Sequence, residues 1–185
     1  LKKEQIDNIN KLKSNFKVKN YFGEQRFSKN NIEIGLAIVK KDFKKAIQLI
    51  LKTNSDYEEK IKQYENNYVI ALKTIPLKLL KLYVHAYQSH LWNILAKKTE
   101  EENLEIIGYA TETEKYENLL EEDGLTQRDF IIRQIPRLSM EGTTRKVNIE
   151  VKAFKILEKD KNSLKVTFKL PKASYATTVL KQMIN

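Results

Sequence analysis

The stretch SLKVTFKLPKASYATTVLKQMI, Ser163 to Ile184, carries the clearest structural signal in the chain. Its first part alternates apolar and polar side chains, and one face of it is formed by Leu164, Val166, Phe168 and Leu170. The opposite face carries Lys165, Thr167 and Lys169. This period of two predicts a half-buried strand that stops at Pro171. Ser174 can then cap a hydrophobic closing helix.

Upstream of this stretch, apolar residues mostly repeat at helical spacing. Residues 1–13 and the long segment that opens at Pro76 both show spacings of three and four, which predicts amphipathic helices. Asp42 is a plausible N-cap for a third helix, which runs to about Leu51. Residues 16–22 predict a short strand or extended segment. Residues 104–148 predict a small irregular unit with a helix at 114–122.

The composition favours a polyanionic partner without proving one. Lys and Arg number 34 against 24 acids, which gives a net charge of +10. Neutralising phosphates releases counterions, so such a balance suits nucleic acid. Lysine, asparagine and isoleucine are all abundant, however, and a genomic bias toward these residues would raise the charge without any function. Both explanations stay open at this point.

Several classes of protein are disfavoured by what the sequence lacks. It contains no cysteine, which excludes disulfides and thiolate metal sites and suggests an intracellular protein. No apolar run approaches the ~20 residues of a membrane span. The polar opening LKKEQIDNIN shows no signal peptide. We therefore expect a cytoplasmic protein with no membrane partner.

The two histidines do not predict a metal or catalytic site. His85 and His90 are five residues apart, which turns them roughly 140° around a helix and off any common face. Ser89 and His90 are adjacent, so their side chains point apart and form no catalytic pair. No glycine-rich phosphate loop occurs. We expect no metal and no cofactor.

Four short stretches are not explained by packing alone. They are NYFGEQRF (20–27), QSHLWN (88–93), GTTR (142–145) and LPKASYAT (170–177). At these residues the sequence resembles the TruD-type family of RNA pseudouridine synthases. The motifs occur in the family's order and spacing, and the resemblance spans essentially the whole chain.

The resemblance implies an α+β fold, with a mixed, mostly antiparallel sheet and helices, interrupted by an α/β insertion domain. Residues 1–80 and 149–185 would then belong to the catalytic domain, and residues 81–148 to the insertion. It also implies the reaction. Uridine becomes pseudouridine when its C–N glycosidic bond breaks, the base turns and it rejoins through carbon, with no cofactor. The implied partner is RNA, with tRNA the first expectation, bound in a basic cleft between the two domains.

By the same resemblance, Asn20, Phe22, Gly23 and Arg26 form the active-site loop. Phe22 would stack on an extruded uridine, because aromatic stacking offsets the cost of removing a base from its stack. Asn20 would hold the loop or the base edge, Gly23 would allow close backbone approach, and Arg26 would pair with a phosphate or an acid. Tyr21 and Phe27 are interpreted as core anchors of the loop.

The resemblance also implies roles for three residues outside the loop, as candidate contacts with RNA or another domain. Arg145 would contact RNA or another domain, although a plain surface role is nearly as compatible with the sequence. Ser174 is interpreted as a helix cap rather than a catalyst, and Tyr175 would pack beneath the active site.

The chain departs from the family pattern in two ways. Ser28 and Ala173 stand where relatives commonly have glycine, which restricts a backbone that needs positive φ in that pattern. More importantly, no aspartate lies in the family's catalytic motif upstream of Asn20, so no catalytic residue is identified. We therefore expect the C-terminal part of a synthase, monomeric when complete, whose aspartate comes from a missing N-terminal segment or a separate chain.

Two other interpretations remain. The chain could be a non-catalytic half that binds RNA or completes a partner, or a structural protein whose charge reflects genomic bias only.

Overall fold

A computed structural model describes residues 1–28, 30–53, 55–64, 67–112 and 114–184. The chain divides into two compact units. We call the first the sheet unit, which consists of Leu1–Gly23, Ala96–Leu104 and Lys146–Asn185. The second is the helical unit, which consists of Glu24–Leu95 and Glu105–Arg145. No helix within the described ranges has the length and apolar character that crossing a membrane requires.

Helices and strands alternate irregularly along the chain. The α-helices are α1 (Lys3–Asn10), α2 (Asn31–Val39), α3 (Phe43–Thr53), α4 (Glu58–Lys62), α5 (Tyr68–Lys73), α6 (Leu77–Lys98), α7 (Glu117–Glu122) and α8 (Ala176–Ile184). The strands are β1 (Phe16–Lys19), β2 (Asn103–Ile106), β3 (Thr143–Lys146), β4 (Asn148–Lys159) and β5 (Leu164–Lys169). Single turns of 3₁₀-helix lie at Glu24–Phe27, Ser55–Tyr57, Glu114–Tyr116, Gln127–Phe130 and Pro136–Leu138.

The sheet unit is built on a three-stranded antiparallel sheet in the order β1–β4–β5. One face of this sheet is apolar because each strand alternates, and it packs against α1 and α8. The shared core comprises Ile9, Ile149, Val151, Phe154, Val179 and Met183. The predicted strand at the start of the 163–184 stretch is therefore confirmed as β5, and its lysine side faces outward.

The helical unit has its own core, to which α2, α3, α5 and α6 contribute. Gly35 of α2 lies against α6 so closely that a Cβ at this position would overlap the carbonyl oxygen of Tyr83. A glycine is needed here because only its missing side chain allows the two helices to touch through their backbones. Strands β2 and β3 form a separate two-stranded sheet.

Most of the helices expected from the sequence are present. Asp42 caps α3 as predicted, since its Oδ1 accepts a hydrogen bond from the Lys45 amide at 3.0 Å. The expectation that Ser174 caps the closing helix is wrong. The Thr178 and Val179 amides donate instead to the carbonyl oxygen of Tyr175, the residue directly before α8. The expected insertion bounds, 81–148, stay a prediction, because compactness does not identify an inserted segment.

Candidate functional site

The NYFG stretch leaves β1 and is fixed to the chain between β3 and β4. The Asn20 amide donates to the Val147 carbonyl at 2.7 Å, and Asn20 Nδ2 donates to the Lys146 carbonyl at 3.1 Å. Asn20 is 7% exposed, so these bonds form in a largely dry environment where they hold the loop firmly. Of the two roles expected for Asn20, these contacts support holding the loop, and contact with a base edge stays a prediction.

Phe22, Gly23 and Tyr175 pack together in the sheet unit. The Phe22 ring lies edge-on to the Tyr175 ring, with centroids 6.3 Å apart and planes at 60°. A Cβ on Gly23 would lie 2.7 Å from Tyr175 Cδ1, so any larger residue would displace the tyrosine ring. The close approach expected at Gly23 is therefore made to Tyr175. Phe22 is 6% exposed, and its stacking on a uridine stays a prediction.

The turn before α8 has an unusual backbone and an unsatisfied hydroxyl. Ala173 has a φ of 65°, the left-handed conformation that glycine adopts without steric cost. This is the position at which the resemblance described above implies a glycine. Among the described residues, the buried Oγ of Ser174 has no hydrogen-bond partner. A buried hydroxyl without a partner costs free energy, so this turn carries a local cost in stability.

The second half of the loop, EQRF, belongs to the helical unit and rests on α6. Arg26 Nη1 donates to Ser89 Oγ at 3.1 Å, and Asn31 Nδ2 donates to the Arg26 carbonyl at 3.0 Å. The Phe27 ring lies edge-on to His90, with centroids 6.5 Å apart. The QSHLWN motif is thus the surface on which this half of the loop packs.

The same motif also supports Arg145. The Arg145 guanidinium carbon lies 5.5 Å from the centroid of the Trp92 ring, a cation–π arrangement, and Trp92 is fully buried. Gln88, which is 2% exposed, donates from Nε2 to the Ile107 carbonyl at 2.5 Å. The sequence singled out the QSHLWN motif as a whole but did not predict Gln88, Ser89 or Trp92 as site residues. Polar residues beside a tryptophan in the middle of an apolar helical stripe were the available signal.

The sequence led us to expect that Tyr21 and Phe27 are core anchors of the loop, and this expectation is wrong. Both side chains are only half-buried. The buried aromatic of the loop is Phe22, whose neighbours Asn20 and Gly23 are buried as well. The loop is therefore anchored by its Asn-x-Phe-Gly residues and exposes parts of the two flanking rings.

Most of the aspartates have roles within the fold. Asp123 accepts a hydrogen bond from the Tyr87 hydroxyl at 2.8 Å, and burial raises the pKa of that tyrosine. Asp129 forms an ion pair with Lys41 at 2.6 Å; burial opposes its ionisation, but Lys41 and Thr126 together lower its pKa. Asp160 accepts from Ser163, and Asp7 and Asp56 are exposed. No grouping of three or more metal-binding side chains occurs in the described part of the chain.

The chain is similar in sequence to known proteins over most of its length. The family model for tRNA pseudouridine synthase D (TruD) matches residues 1–69, 58–111 and 103–183. A protein from Methanopyrus kandleri named "Probable tRNA pseudouridine synthase D" is 28% identical over 77% of this chain and 42% of its own length. One of the same name from Methanosarcina mazei is 27% identical over 89% of this chain and 60% of its own.

A solved structure shows the same fold. The crystal structure of a TruD-type tRNA pseudouridine synthase D from Methanosarcina mazei matches 90% of this chain and 61% of its own length, with a TM-score of 0.70 and 24% sequence identity. This likeness confirms the expected α+β synthase fold.

The matches also show that the curated relatives are longer. This chain spans between about two fifths and three fifths of the curated relatives described here. The alignment with the Methanosarcina mazei sequence runs over 263 positions, more than the 185 residues of this chain, so that relative carries extra residues inside the matched region.

Proposed function

The chain belongs to the TruD family of tRNA pseudouridine synthases, and from this premise we propose that it forms the uridine-holding part of an enzyme that isomerises uridine to pseudouridine in tRNA. The observation that carries the proposal is the match of the family model along residues 1–183. The contacts of the four motifs support it: Asn20 is hydrogen-bonded to the Lys146 carbonyl, Arg26 to Ser89, and Arg145 and Tyr175 pack against the rings of Trp92 and Phe22.

The proposed binding role of the loop follows from its chemistry. A target uridine must leave its stack, at a cost of a few kcal/mol, before any group can reach its glycosidic bond. Phe22 and Tyr175 form an aromatic pair, with Gly23 packed against the tyrosine ring, and stacking of a base on an aromatic ring contributes ~1–3 kcal/mol. Burial of Phe22 fixes the ring in advance, so the binding of a base orders few side chains.

The nucleophile is proposed to come from outside this chain. Catalysis in the family uses one aspartate, and the aspartates described above pair within the fold or lie on exposed surface. A segment present in the longer relatives, whether joined to this chain or separate from it, would supply the carboxylate. The Ser174 hydroxyl, which lacks a partner among the described residues, is then available to that segment or to the substrate.

The division of labour can be written in steps. The loop and the Phe22–Tyr175 pair bind and orient the extruded base. The external carboxylate acts as the C–N bond breaks, and the base turns while it remains bound. Carbon C5 then joins C1′ of the ribose and loses its hydrogen as a proton, while N1 of the base takes up a proton. We place this reaction in the cytoplasm and expect the complete enzyme to be a monomer.

The lack of an assignable catalytic aspartate favours one alternative. The chain could bind RNA or complete a partner without taking part in chemistry.

A chimera separates these functions. This chain replaces the matching region of the Methanosarcina mazei relative, and pseudouridine is mapped in tRNA after incubation. Pseudouridine formed by a folded chimera supports a catalytic role. A folded chimera that binds tRNA but leaves every uridine unchanged, while the intact relative modifies it, supports the non-catalytic alternative.

A further inference from the structure

The outer face of the three-stranded sheet carries a set of lysines that the proposed site does not use. We call it the lysine face, and it comprises Lys17, Lys152, Lys155, Lys165 and Lys169. All five side chains are exposed. They share one face because the opposite face of each strand packs in the core with α1 and α8. The face belongs wholly to the sheet unit.

The strand register places like charges together. Lys152 of β4 lies directly opposite Lys169 of β5, and Lys155 lies opposite Thr167. Like charges at directly opposed positions destabilise a sheet. A neutral residue at either position would remove that repulsion, so the arrangement is unfavourable for the fold alone. It is favourable for a polyanion that bridges the two strands.

Acidic residues neutralise only part of this face. Glu150 pairs with Lys152 at 3.3 Å, and Glu158 pairs with Lys165 at 2.7 Å. Lys17 lies opposite Glu150 in the register, but no ion pair within 4 Å joins Lys17, Lys155 or Lys169 to any acid in the described residues. Within the described ranges, three lysines on one side of the sheet therefore have no acidic side chain within ion-pair distance.

A groove extends from the same face. It has a volume of about 820 Å³, and its lining includes Lys17, Lys152 and Lys169. The lining contains two further acids. Glu100 lies 3.5 Å from Lys19, and Glu102 lies 3.5 Å from Lys146. The acids of the groove are thus each matched by a lysine, and the unmatched charge is positive.

We propose that the lysine face binds the phosphate backbone of RNA, outside the loop that holds the uridine. This inference rests on the proposed function for the identity of the polyanion. Residues two positions apart on a strand are about 7 Å apart, which is comparable to the step between phosphates along one nucleic-acid strand. Long, mobile lysines without planar partners suit phosphates rather than base edges, so the contact is independent of sequence.

The test is the salt dependence of tRNA binding by this chain. Each lysine that neutralises a phosphate contributes about 0.7–0.9 to the slope of log K against log salt. The triple variant Lys17→Gln, Lys155→Gln and Lys169→Gln is expected to lower the magnitude of that slope by about 2–3. Its melting temperature is expected to change little, because relief of the Lys152–Lys169 repulsion offsets the loss of the opposite-charge neighbours Lys17 and Glu150.

A matched control keeps the change in net charge constant. Lys44, Lys45 and Lys52 are exposed on α3, in the helical unit, and their conversion to Gln removes the same three charges. The control is expected to leave the slope within about half a unit of the wild-type value. Equal slopes for the two triple variants, or no binding of tRNA by the wild-type chain, would overturn the proposal.

Two further readouts separate related explanations. Vesicles of phosphatidylserine provide an alternative anionic surface. If the triple variant of the lysine face loses vesicle binding and retains wild-type tRNA binding, the lysine face binds membrane and the proposal is wrong. If the chimera loses isomerisation while the salt slope of its tRNA binding is unchanged, the result bears on the proposed function alone. If the salt slope changes, the result bears on the lysine face.

Discussion

Gly23 is fixed by its contact with Tyr175, and its replacement tests that contact. Gly23→Ala places a methyl group 2.7 Å from Tyr175 Cδ1, so the ring must move. We expect a loss of about 1–3 kcal/mol in the free energy of unfolding, the usual cost of overpacking, measured by urea denaturation.

A double-mutant cycle provides the control for Gly23. In the Tyr175→Ala background the ring is gone, and Gly23→Ala is expected to cost less than about half as much as it does in the wild type. Equal costs in the two backgrounds would show that the backbone at position 23, rather than the tyrosine, requires glycine.

Phe22 can be tested without emptying its site. Because the ring is buried, Phe22→Ala would destabilise the fold by about 3–5 kcal/mol and would confuse activity with stability. Phe22→Leu keeps an apolar side chain of similar volume, and we expect it to cost under ~1.5 kcal/mol.

The activity of Phe22→Leu is read in the chimera. A leucine has no ring face, so we expect the rate of pseudouridine formation to fall about 5- to 150-fold, which corresponds to the loss of ~1–3 kcal/mol of stacking. If the rate of pseudouridine formation falls no further than the loss of folded protein explains, Phe22 is a core residue only.

At the level of elements, the QSHLWN part of α6 acts as a platform. It holds Arg26 through Ser89 and Arg145 through Trp92, while Gln88 binds the Ile107 carbonyl. Gln88→Leu removes a buried donor and leaves that carbonyl without it. We expect destabilisation by about 1–3 kcal/mol, measured by thermal or urea unfolding.

An exposed glutamine provides the comparison. Gln48 lies on the outer surface of α3, and Gln48→Leu is expected to change stability by less than ~0.5 kcal/mol. If both substitutions have the same small effect, the Gln88 bond does not hold α6 to the Ile107 segment.

The elements with one strong period could be predicted from sequence. β5 was evident from its alternation, and α3 and α6 from apolar residues three and four apart, because these periods directly reflect which face is buried. Helix α2 was not recognised: Ile32, Ile34, Leu36 and Ile38 also alternate in steps of two. Packing against α6 through Gly35, a long-range contact, selects the helix.

The sequence motifs predicted which loop residues lie together, whereas their role in a site stays a prediction. The motifs identified Phe22, Gly23 and Tyr175, which the structure places in contact. The sequence could not show that Phe22 is buried while Tyr21 and Phe27 are half-exposed, because aperiodic loops carry no burial signal. Nor could it show that Ser174 leaves its hydroxyl unpaired, since capping depends on the φ and ψ of the turn. The positive φ anticipated at Ala173 is observed.

At the level of the whole molecule, the position of the lysines is more informative than their number. A net charge of +10 alone did not separate RNA binding from genomic bias. The register of β4 and β5 is more informative, because it places Lys152 directly opposite Lys169 on one surface of the sheet. We thus propose different places for uridine binding, for backbone binding and for the nucleophile, the last of them outside this chain.

The most direct measurement of this account is the release of C5 hydrogen from tRNA labelled with tritium at uridine C5. Release reports formation of the new carbon–carbon bond and nothing earlier. We predict no release by the isolated chain, even when it is saturated with tRNA, and release at every turnover by the chimera that contains it. Release by the isolated chain would place a nucleophile within these 185 residues, and its absence from a folded, tRNA-bound chimera would contradict the catalytic role.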